Sequence, residues 1–153
     1  MLKISHLKQY LPTLAAAIPE VKRHEMAVTK DDIIKFMKSH EEGDNMLLIA
    51  IVPEHGVSGG ENSAQWTNSG GFFVLEKTDY SELEDGGYLD IFERTQDAVE
   101  KLINKLLQDK AAVAGPMCGF LADLDEDSIG ASPIEALESC NGYFVSFSMG
   151  SRF

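Results

Sequence analysis

The chain has 153 residues, 44% of them apolar, and 25 acids against 13 bases give it a formal net charge of −12. That size and apolar share fit one globular domain with a proper core and exclude a disordered chain. The acid excess excludes an extended phosphate-binding face, and with it sequence-specific nucleic-acid binding, and also docking on an anionic membrane. Its plainest effect is solubility.

In chain order, residues 1–28 read as a broken helical segment. Ile4, Leu7, Leu11, Leu14 and Ile18 share a helical face, while Pro12 and Pro19 interrupt it, so one or two short helices with a kink are expected. Lys3 and Lys8 also break up any signal-peptide-like run. No apolar stretch approaches the length of a membrane span, so the expected site of synthesis is the cytoplasm. Thr29 and Asp32 then resemble a capping box, opening a helix expected to run to about His40 and stop at Gly43. Met46 to Val52 is a continuous apolar run ended by Pro53, as expected of a strand covered on both faces. Glu54 to Ser69, rich in Gly and small polar residues and carrying the only Trp, Trp66, reads as a mobile loop or an extended hairpin. Gly70 to Lys77 is the next strand, expected antiparallel to the first.

Asp79 to Asp90 is acidic and contains the Gly86-Gly87 turn signal. The clearest periodicity in the sequence follows. From Asp90 to Lys110, Phe92, Val99, Leu102, Ile103, Leu106 and Leu107 lie on one helical face, and Asp90 with Glu93 suggests a capped start. The polar side, with Arg94, Glu100, Lys101 and Lys105, reads as solvated. After a small-residue linker at Ala111 to Pro116, Phe120 to Leu124 is expected to be a strand and Asp125 to Ser132 an acidic turn. Pro133 to Leu137 reads as a short strand or a single turn. Asn141-Gly142 signals a turn before the alternating strand Tyr143 to Met149. The expected fold is a single α+β domain over 1–153: a mainly antiparallel sheet of about four strands, helices on one face, in the order α-β-β-α-β-β.

No catalytic signature is present, and no cofactor or metal is expected. The histidines His6, His24, His40 and His55 are not paired at ligand spacing, so satisfied or solvent-exposed rings are expected. Asp123, Asp125, Glu126 and Asp127 fail the calcium-loop order, because Ser128 stands where a Gly is needed and Ile134 where a Glu is needed. Gly56-Val57-Ser58-Gly59-Gly60 lacks the order of a nucleophile elbow, a phosphate loop or a dinucleotide fingerprint. Cys118 and Cys140 are not a CxxC pair; reduced thiols are the default, with a disulfide left open. The candidate interaction residues are His55 and Trp66 in the Gly-rich segment and Asp79, Glu84 and Asp85 in the acidic one.

Pro133-Ile134-Glu135, followed by Asn141-Gly142-Tyr143-Phe144-Val145-Ser146-Phe147-Ser148, together with the element order and the long segment between the first two strands, resembles the tail terminator (tail completion) proteins of long-tailed phages and prophages. The resemblance covers most of the chain in element order and the last twenty or so residues in motif. It implies a non-enzymatic, virion-associated structural protein. Such a protein forms a ring, a hexamer, at the end of the tail tube, with itself and tail-tube or head–tail joining proteins as partners. The extra helical material before Thr29 departs from that pattern. An acidic lumen, built from the stretches at 79–90 and 123–127, would let DNA pass by like-charge repulsion. The rival reading is a small bacterial module binding a ligand or peptide through the 54–69 segment.

Overall fold

The computed structural model describes residues 1–60, 64–112, 119 and 121–151. Phe120, Cys118 and most of the 111–116 linker lie outside the described residues, as does the centre of the 54–69 segment. The elements are α1 (Ile4–Ala16), β1 (Arg23–Ala27), α2 (Lys30–Lys38), a 3-10 turn (Glu42–Asp44), β2 (Leu47–Ser58), β3 (Gln65–Lys77), α3 (Gly87–Ala111), β4 (Leu124–Leu137) and β5 (Cys140–Ser151). One mixed sheet runs β1-β2-β3-β5-β4. The β1–β2 pair is parallel and the others antiparallel.

From α2 onward the order is α-β-β-α-β-β, as the sequence suggests; α1 and β1 are added in front. The fold is therefore α+β with five strands, not about four. Of the periodic residues of the first segment, Ile4, Leu7, Leu11 and Leu14 do fall in a helix, α1, with Pro12 inside it, while Ile18 lies beyond its end. β1 escaped detection because Arg-His-Glu-Met-Ala carries no apolar alternation. It becomes a strand by pairing with the fully buried run Leu47 to Ala50.

The helices do not share one face. Leu48 and Ala50 of β2, Phe72 and Val74 of β3, and Val145, Phe147 and Met149 of β5 point to one side. There they pack against Leu7, Tyr10, Leu11 and Leu14 of α1 and Ala98, Val99, Leu102 and Leu106 of α3. Leu47, Ile49, Leu75 and Cys140 point to the other side, where Met37, with Ile33 and Phe36 beside it, brings α2 down. Successive strand residues alternate faces, so the continuous apolar run in β2 feeds both cores. Beyond the Phe73–Phe144 ring contact, the α2 face carries Thr67, Ser69, Ser146 and Ser148, half-buried or exposed.

Local signals decide the ends. Thr29 and Asp32 form the reciprocal capping box: Thr29 Oγ1 accepts from the Asp32 amide at 3.2 Å, and Asp32 accepts from the Thr29 amide at 2.9 Å. α3 begins a turn earlier than Asp90, after Gly86 in the left-handed region at φ 90°, with no side-chain cap. Its polar side is tied down rather than merely solvated. Arg94 forks onto the buried Glu76 at 2.6 and 3.2 Å, Lys101 pairs with Glu20, and Lys105 reaches Asp109 at 2.6 Å, whose other oxygen accepts from Tyr10 Oη at 2.8 Å. The β4–β5 turn is Glu138–Ser139, both at positive φ, three residues before the expected Asn141-Gly142. Gly142 instead lies in β5, where a side chain would run into the carbonyl oxygen of Val74. Asp125 to Ser132 is strand with a register shift rather than a turn, and β4 starts only at Leu124.

Candidate interaction surfaces

The segment 54–69 is the end of a hairpin. β1 stops where Ala27 faces Ile51, but β2 and β3 continue through Glu54↔Ser69 to Ser58↔Gln65. Between these stretches Val52 and Pro53 stand opposite Gly70, a bulge that re-aims the arm. From Glu54 to Ser58 the outer edge of β2 has no strand neighbour among the described residues.

Asn68 fixes the arm to the body. It is fully buried, and its Oδ1 accepts from the Leu2 amide at 2.7 Å and lies 2.9 Å from His55 Nδ1. That ring nitrogen therefore donates. The amide nitrogen of Asn68 donates to Met149 O at 3.0 Å and to Ser151 Oγ at 3.2 Å. The carboxamide is then fully used, so His55 serves to position it. Trp66 faces Val57 and Ser151 in the ladder and shares its face with Asn68 and His55. Val57 is exposed, as are Met1 and Ile4, which flank the anchored Leu2.

The other expected residues lie elsewhere. Asp79, Glu84 and Asp85 are exposed in the turn between β3 and α3. At about 3.3 Å per residue this is roughly 35 Å along β3 from Trp66. Asp79 Oδ1 accepts from the Ser81 hydroxyl at 2.6 Å and its amide at 2.9 Å, which holds the carboxyl below the usual carboxylate range. Glu84 and Asp85 precede the start of α3, where negative charge suits the helix dipole. The two acidic stretches also separate. The second lies at the arm end, where Asp125 pairs with Ser148 and, with Asp123, Gln65 and Thr67, borders a groove of about 460 Å³.

Charge divides between the sheet's two edges. Residues 22–27, forming the β1 edge, hold Lys22 and Arg23 against Glu25, a net of +1, while Lys38 at the end of α2 already pairs with Glu138 of the β4–β5 turn. Residues 123–138, forming the β4 edge, hold six acids and no Lys or Arg, a net of −6.

Sequence reasoning missed one site. His40 is neither satisfied nor solvent-exposed: it is 1% exposed, and neither ring nitrogen has a hydrogen-bond partner among the described residues. Around it Lys77 Nζ donates to Met37 O at 3.1 Å and Glu138 O at 2.8 Å. Arg23 donates to Ser39 O at 3.1 Å, and the Thr78 amide to Ser139 O at 2.9 Å. Burial first, then the charge of Arg23, pushes protonation of His40 below the ordinary histidine range; Asp44 partly offsets this and Lys77 adds to it. No sequence signal could have found this ring, because only tertiary packing brings β3 and the β4–β5 turn over the end of α2. Among the described residues no group of three His, Cys, Asp or Glu is placed to hold a metal ion, and no helix is long and apolar enough to cross a membrane. No model of a known protein family matches the chain, and no curated protein matches it.

Proposed function

We propose that this chain is a non-enzymatic structural protein of a phage-like tail, whose copies join head to tail into a ring that caps the tail tube or links it to the head. The opposite charge of the two sheet edges carries the assembly part of this reading. Heterologous association needs two different, complementary surfaces on one molecule, and it closes into a ring when the rotation per subunit allows. The tail part rests on the element order from α2 to β5 and on the residue pattern at 133–135 and 141–148. α1 packs on the α3 face, and among the described residues β1 and β4 each have a strand neighbour on one side only. With the acidic stretches at opposite ends of the sheet, a lumen can be lined by one of them, and the β4 edge is then the contact surface.

Light scattering and native mass spectrometry at low salt test it. The expected result is a closed oligomer that weakens as salt rises, and that electron microscopy finds at the ends of tail tubes when tube protein is added. A protein that stays monomeric at low salt and leaves tube ends bare overturns the reading. The open edge Glu54–Ser58 favours a second reading, a module that binds an extended peptide as an added strand. Amide shifts confined to that edge on titration with extended peptides would support it.

A further inference from the structure

We propose that His40 is an acid-sensitive latch, whose protonation releases the corner where the end of α2, the end of β3 and the β4–β5 turn meet. The ring is buried with both nitrogens unpartnered, so the closed corner holds it only as the neutral form. Every element packed there bears on the added charge. Arg23 from β1 and Lys77 from β3 oppose it, and Asp44 of the 3-10 turn favours it. Lys38 on α2 and Glu138 on the β4–β5 turn pair with each other at 3.8 Å. The groove beside the ring, about 520 Å³, is bordered by Glu41, Glu42, Asp79 and Tyr80. The three carboxylates there are exposed to solvent and await the imidazolium once it swings out. Neutral inside and charged outside are thus two arrangements of one side chain, with pH choosing between them. The latch is independent of the tail reading, because it needs only the isolated chain.

The direction follows from linkage. The ring protonates less readily in the closed corner than in an open or unfolded chain. The stability it lends is therefore complete above about pH 6.5 and is lost as pH falls toward its lowered native value. Native-state hydrogen exchange on the full chain, corrected for intrinsic rates, tests this. Reporter amides are Ser39, His40 and Thr78, which donate to Lys35, Met37 and Ser139. In that window their protection should fall about tenfold per pH unit, while amides in the middle of α3 keep theirs. His40→Leu should abolish the fall. Corner protection that does not change with pH, or that falls equally in His40→Leu, overturns the proposal. Should that variant fail to fold, the ring's own NMR titration in the unaltered protein decides: a midpoint below the ordinary histidine value, coincident with the loss of protection, supports the latch, and an ordinary midpoint with the corner closed overturns it.

Discussion

The two faces of the sheet are built differently. One is sealed by α1 and α3 with large aliphatic side chains, and Leu14, Leu48, Val74 and Leu102 are wholly inaccessible. The other is covered only in part, by the nine-residue α2, and beyond Phe73 and Phe144 it ends in Ser and Thr side chains. The first face supplies most of the apolar burial and hence most of the stability. The second, together with both edges and the arm, is left for contacts and conformational change. The contrast separates the part of the chain that must fold from the part free to act.

Substitutions can break or sharpen that contrast. The largest effect is expected for Leu102→Ala, a wholly buried position between α3 and the sheet, at about 2–5 kcal/mol by denaturant unfolding. Ile103→Ala, only half-buried beside the same core, should cost less. Arg94→Ala should come next at about 1–3 kcal/mol, because it strands the Glu76 carboxylate, which is 7% exposed on the same sealed side. Thr29→Ala removes half of the α2 capping box and should cost about 1 kcal/mol, confined to α2 if exchange is followed by residue. Ser146→Ala, on the bare part of the second face, should stay within about 0.5 kcal/mol. If Ser146→Ala proved as costly as Arg94→Ala, the two faces would not differ as described.

How much was legible follows the range of the forces involved. The α2 capping box, the helical stripe of α3, the doubly covered β2 and the alternation of β5 are local patterns, and each appears close to where its residues suggest. β1 was invisible because its strand character comes from its partner. The Asn141-Gly142 pair resembles a turn in isolation, yet Gly142 is needed for close approach to Val74. His55 and Trp66 do share one face of the arm. Asp79, Glu84 and Asp85 do not join them, since linear distance along the chain says little about which end of a sheet a turn occupies.

The sequence by itself determined an acidic α+β domain, the order of elements from α2 to β5, and which helical faces must be buried, because periodicity and caps act within a few residues. Only the tertiary structure decided that a fifth, parallel strand joins the sheet, and that α2 takes the face opposite α1 and α3. It alone segregated charge between the two edges and left His40 buried without a partner. Those outcomes depend on contacts between residues far apart in the chain, whose geometry no local pattern encodes.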